Sequence, residues 1–215
     1  MIYYIFLDVD GVLNDEVYIE KCYDMNGGYS MSMRYVPFDP KALFNLMDLV
    51  QKIRLVSDGE PRIVLSSTWR LNEIDTEIVK ARIAEYGLRL FDKTSYIHCD
   101  RGLEIETFLN KQELDGVTNY NFVILDDDKF DIETKYPNNL VYIDRTYGLT
   151  ENDVNKALKI LKIKENNNDK KRRVKNKIGN LSASIRCNSF KQCRFFNRRN
   201  DKNKRPTRVI KRNGE

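Results

Sequence analysis

The chain has 215 residues, 37 Lys/Arg against 32 Asp/Glu and a net charge of +5, a length that suits one domain with an appendage better than two full domains. The charge is divided: residues 164–215 carry 18 Lys/Arg and 4 Asp/Glu, net +14, which leaves residues 1–163 at net −9. The absence of a signal peptide or long apolar span, and four scattered cysteines (Cys22, Cys99, Cys187, Cys193) without zinc spacing, argue against membrane, disulfide-stapled and zinc-finger proteins and predict an intracellular, cytoplasmic chain with reduced thiols.

The first predicted strand covers about residues 2–9 and runs into Asp8-Val9-Asp10-Gly11. Alternate residues of a strand share a face, so both carboxylates leave its end on one side, while Gly11 lets the chain turn sharply. Two acids so close repel, which favours a divalent cation between them or a proton on one. A helix is expected over 40–55, with Asp39 as its N-cap, Pro40 in its first turn and Leu43, Leu46, Met47 and Val50 on its buried side. Residues 26–35, with Gly27-Gly28 and Met31–Tyr35, read as a short β-flap. A β-branched strand at 62–66 ends in Ser66-Ser67-Thr68-Trp69-Arg70, and a helix follows over 72–86. The next strand falls at 88–91 or 95–98.

A further helix over 102–112 is marked by the stripe Ile105, Phe108, Leu109, with Arg101 at its positive N-terminal end. Asn121–Leu125 is another apolar strand, and it opens directly into Asp126, Asp127 and Asp128. Three adjacent acids destabilise one another unless a cation collects them. A strand at 139–143 and a helix at 151–163 complete the alternation. That last helix opens on Thr150-Glu151-Asn152-Asp153, a capping-box variant, with Leu149 and Val154 as a hydrophobic staple. Near-continuous apolar strands alternating with helices predict an α/β fold with a Rossmann-like, doubly wound parallel sheet over residues 1–163. Asp8, Ser66 and Asp126 all stand at strand carboxyl ends, where such sheets place ligands.

These four motifs, D-x-D-G, V-L-S-S-T-W-R, R-G-L-E-I and L-D-D-D, resemble those of the haloacid dehalogenase-like (HAD) phosphohydrolases, and in detail the HAD phosphatase domains associated with RNA-repair proteins. The resemblance covers about residues 2–163. It implies that Asp8 is the nucleophile and Asp10 the general acid/base. It implies that Ser66, or Ser67 one residue on, binds a phosphate oxygen, and that Arg101 stands where the family usually has Lys. Mg²⁺ is the implied cofactor, held by Asp8, Asp10 through its carbonyl, and Asp126, with Asp127 beside them. Asp128 is surplus to the motif. Arg70 is left between two readings, a bidentate phosphate clamp and a solvated surface residue.

No segment is long enough for a large cap domain, so a capless site and a bulky substrate are expected, by analogy with relatives. The tail begins with Lys170-Lys171-Arg172-Arg173-Val174-Lys175 and interleaves Phe190, Phe195 and Phe196 with basic residues. Its composition predicts disorder, and its chemistry suits a nucleic-acid partner, through counterion release and base stacking. In a nucleated host the same basic run reads as a nuclear import signal. No amphipathic stripe supports membrane binding. The first functional reading is a Mg²⁺-dependent phosphatase on nucleic-acid ends. The alternatives are a phosphatase of nucleotides or other small phosphomonoesters, and a non-catalytic nucleic-acid-binding protein on a HAD fold.

Overall fold

Each apolar run marked as a strand by the sequence ends beside another such run. The computed structural model describes residues 1–25, 37–57 and 59–163. Among these, β1 (Ile2–Leu7), β2 (Glu60–Leu65), β3 (Leu90–Lys93), β4 (Tyr120–Asp126) and β5 (Leu140–Tyr142) form one parallel sheet in the order β3-β2-β1-β4-β5. The expected β-flap over 26–35 and the basic tail over 164–215 lie outside the described residues. Of the two positions open for the third strand, the chain takes the earlier, at Leu90–Lys93.

Parallel neighbours need long crossovers, and helices supply them: α1 (Glu16–Met25), α2 (Pro40–Ser57), α3 (Glu73–Ala84), α4 (Arg101–Leu114) and α5 (Phe130–Lys135), while α6 (Glu151–Ile160) follows β5. The period-2 alternation of β1 divides them between two faces. Tyr3, Ile5 and Leu7 share a core with residues of α2, α3 and α6, including Leu46, Val79 and Val154. Tyr4 and Phe6 point the other way and pack with Ile105 and Phe108 of α4 and Ile132 of α5. Fully burying side chains of this size contributes about 1.5–3 kcal/mol each, and the buried Tyr4 hydroxyl donates to Gln112 Oε1 at 2.8 Å, as a buried phenol requires.

The crossovers from β1 to β2 and from β2 to β3 thus run on one face, and that from β3 to β4 on the other. Strand order therefore reverses between β1 and β4, and the loops leaving their carboxyl ends part to opposite faces. That opens a crevice at the switch point, where Asp8 and Asp126 stand. The caps read from sequence are present. Asp39 Oδ1 accepts from Lys41 N–H at 3.0 Å, and Thr150 and Asp153 form a reciprocal capping box. Two helices lack any sequence signal that was read. α1 buries only Cys22, so it shows no stripe, and α5 has six residues with no side-chain cap. Among the described residues no helix is long and apolar enough to cross a membrane.

Candidate active site

Asp8 directly follows β1, and its N–H still donates across the sheet to Leu125 O at 3.0 Å. The chain then folds tightly back: the N–H groups of Val12, Leu13 and Asn14 all converge on Val9 O. Gly11 makes this turn at φ +71°, and Asn14 closes it, accepting from Gly11 N–H at 3.0 Å and donating to Asp10 Oδ1 at 2.7 Å. The other Asp10 oxygen accepts from Trp69 Nε1 at 2.9 Å. Two neutral donors, one just after β1 and one just after β2, thus fix the Asp10 carboxylate.

β2 delivers the hydroxyls. Ser66 N–H donates to Leu7 O at 3.0 Å, carrying the β1–β2 pairing one residue on. Both Ser66 and Ser67 are fully buried. The Ser67 hydroxyl faces Asp8 and favours its charged form, while the Ser66 hydroxyl has no hydrogen-bond partner among the described residues. Arg70 is not a solvated surface residue. It is buried, donates through Nη1 to the carbonyls of Ser66 and Ser67 at 3.0 and 2.7 Å, and pairs through Nη2 with Glu104. Burial lowers its pKa, and the Glu104 carboxylate opposes that shift.

Glu104 is 1% exposed and was not singled out in the sequence. Its other oxygen accepts from Ile97 N–H at 2.9 Å. Ile97 opens a turn closed by Asp100 N–H to Ile97 O at 2.9 Å, with His98 and Cys99 at φ 49° and 62°. Two successive non-glycine residues in the left-handed region are strained, so Glu104 pins the turn that feeds α4. Asp100 caps that helix through Leu103 N–H. Glutamate on the same stripe as Ile105 and Phe108 is itself a signal, because an acid on a buried face implies a buried partner.

Arg101, the first residue of α4, lies between the two strand-end acids, 2.5 Å from Asp126 Oδ2 and 3.5 Å from Asp8 Oδ1. Burial opposes its charge, yet Asp8 and Asp126 more than offset this and raise its pKa. Asp126 is pushed up to about 7, by burial first and by the Asp8 charge second. Burial likewise raises Asp8, against the pull of Arg101. Asp127 accepts from Arg145 Nη2 and Nε at 2.7 and 3.0 Å. No motif pointed to Arg145, which reaches the site only because β5 adjoins β4.

Asp8, Asp126 and Asp127 can each bring one carboxylate oxygen within 4.8 Å of the others. An all-oxygen donor set suits Mg²⁺. Burial first, and neighbouring carboxylates after it, raise Asp8 and Asp126 despite Arg101; three carboxylates this close in a recessed site fit a divalent cation. The Asp10 side chain stands outside this cluster, held by Asn14 and Trp69. The site is recessed as well, with Asp8 only 5% exposed and Asp126 fully buried.

Paired acids at the carboxyl ends of β1 and β4, with a cation at a helix N-terminus between them, are the arrangement of a HAD domain. The family model described as the HAD domain in Swiss Army Knife RNA repair proteins matches residues 4–154, and the chain belongs to that family. No curated protein and no solved structure gives a match.

Proposed function

We propose that the protein is a Mg²⁺-dependent phosphomonoester hydrolase acting on phosphorylated nucleic-acid ends. The observation that carries the chemistry is the buried cluster of Asp8, Asp126 and Asp127 with Arg101 between the first two. The nucleic-acid assignment draws on the family's association with RNA repair and on the net +14 of residues 164–215. Asp8, Asp126 and Asp127 would hold the metal, which supplies charge neutralisation at the phosphate oxygens.

Asp8 attacks phosphorus through a carboxylate oxygen, forming an aspartyl-phosphate as the bond to the leaving oxygen breaks. Asp10 gives that oxygen a proton. It then takes a proton from water, whose oxygen attacks phosphorus and breaks the bond to Asp8, releasing phosphate. Asn14 and Trp69 hold Asp10 in the orientation both proton transfers need. Arg101 and the α4 N-terminus offset negative charge on the phosphoryl group. We assign phosphate contact to Ser67, whose hydroxyl already faces Asp8, with Ser66 beside it. Arg70, in this reading, positions the Ser66–Ser67 backbone rather than clamping phosphate.

The test is an assay with Mg²⁺ on 3′- and 5′-phosphorylated oligonucleotides, mononucleotides and phosphopeptides. Phosphate release from the oligonucleotides is expected, lost with EDTA and restored by Mg²⁺. Asp8→Asn should abolish it, and Asp10→Asn should slow it by about 10²–10⁴-fold. Turnover by Asp8→Asn near the wild-type rate would reject the covalent route.

A further inference from the structure

We infer that the β5 edge of the sheet carries a nucleotide-binding subsite, in which Tyr142 stacks on the terminal base while Lys129 and Arg145 take the next phosphodiester. This rests on the phosphatase reading above. Asp8 and Asp126 are almost wholly buried, so when a phosphoryl group reaches them the rest of a nucleic-acid end must lie on the rim.

On the β5 side that rim is built for such a guest, although residues 1–163 are net −9. Tyr142 ends β5 and pairs in register with Asp126, so its backbone lies about 5 Å from that of a site acid. The residue is nevertheless 46% exposed. Ile143 N–H donates to Asp126 O at 2.8 Å and fixes this register. Lys129, from the loop after the three acids, places Nζ 4.4 Å from the centre of the Tyr142 ring. Arg145 grips Asp127 yet its side chain is 64% exposed.

The turn carrying Arg145 is firmly held to the motif around Asp8. Glu16 N–H donates to Arg145 O at 3.1 Å and Leu149 N–H to Val12 O at 2.9 Å, while inside the turn Thr146 N–H donates to Asp144 Oδ1 at 3.0 Å. A second ring, Tyr147, is exposed on the same turn. Across the mouth, Lys93 is engaged by Arg70 O and Glu73. Among the described residues, Lys129 and Arg145 thus stand on the β5 side of the rim beside the exposed Tyr142 ring. An aromatic face together with cations is the chemistry that binds single-stranded nucleic acid.

The experiment compares kcat/KM of the full chain on three substrates with Mg²⁺: a chromogenic phosphomonoester without a base, mononucleotides, and dinucleotides phosphorylated at the 3′ or the 5′ end. The wild type should prefer them in rising order. Tyr142→Ala should lower both nucleotide substrates about tenfold, the size of one base–aromatic stack, and leave the chromogenic substrate unchanged. Tyr142→Phe should keep the preference, because the ring and not the hydroxyl stacks. Lys129→Ala should remove most of the dinucleotide's advantage over the mononucleotide. Wild-type ratios in both Tyr142→Ala and Lys129→Ala, with all three substrates still hydrolysed, would overturn the subsite and leave the phosphatase reading standing. A wild type that hydrolyses none of the three overturns both.

Discussion

At Gly11 the backbone turns at φ +71°, and a Cβ there would stand 2.4 Å from Asp127 Oδ2 and 2.6 Å from its Cγ. Gly11→Ala therefore meets two penalties, about 1–2 kcal/mol for the left-handed conformation and a displacement of Asp127 from the acid cluster. We expect a lower urea midpoint together with a raised Mg²⁺ requirement. An unchanged Mg²⁺ titration would show that Asp127 is not a ligand. The Arg70–Glu104 pair is the second sensitive point, since both side chains are under 5% exposed. Glu104→Ala leaves a buried guanidinium uncompensated and should cost about 3–5 kcal/mol in urea unfolding; a loss under about 1 kcal/mol would mean that water reaches Arg70 readily. The residues that the structure brings together were legible in unequal measure. Asp8, Asp126 and Asp127 could be found because each follows an apolar strand at once, so burial and acidity are adjacent in sequence. Trp69 and Arg145 could not, because each meets its acid through sheet neighbours that only the fold supplies. Arg70 was read as either clamp or solvated residue because its partners are two backbone carbonyls and a distant glutamate.

Among the elements, α2 and α6 were legible from their caps, for Asp39-Pro40 and Thr150–Asp153 are local chemistry that needs no tertiary partner. α1 was not, since its helix turns outward almost all round and only Cys22 is buried. The entry to α2 carries a pH dependence. The Asp39 pKa is raised to about 6, by burial and by the nearby Asp15 carboxylate, which outweigh the Lys41 N–H. A raised pKa means that the folded chain holds this proton more tightly than the unfolded chain does. Its stabilising contribution is therefore complete below about pH 4 and is lost as pH rises through about 6. Asp39→Asn keeps the cap, because Asn serves it equally well, and removes the titration. In metal-free buffer the variant should gain on the wild type in denaturation midpoint between pH 4 and pH 7. A constant difference across that range would rule out Asp39 as the titrating group.

For the whole molecule, the division between a net −9 stretch and a net +14 stretch sets the expectation for truncation. A chain ending at Lys164 keeps the whole family match and every site residue, so turnover of a small chromogenic phosphomonoester should barely change. Oligonucleotide affinity should fall, and the full chain's affinity should drop steeply with added salt as phosphate contacts release counterions. Equal affinity with and without residues 165–215 at low salt would reject the basic segment as a tether. The strand order has a consequence of another kind. β1 leaves the ribosome before both of its sheet neighbours yet sits at the centre of the sheet, so it waits unpaired until β2 and then β4 have been made. Asp8 meets Asp126 only when the β1–β4 pairing closes, so the acid cluster is assembled after β4 is made and before α6 adds Val154, Ala157 and Leu158 to the core. A nascent chain arrested ahead of β4 would carry the first acids of the motif and bind no metal with them.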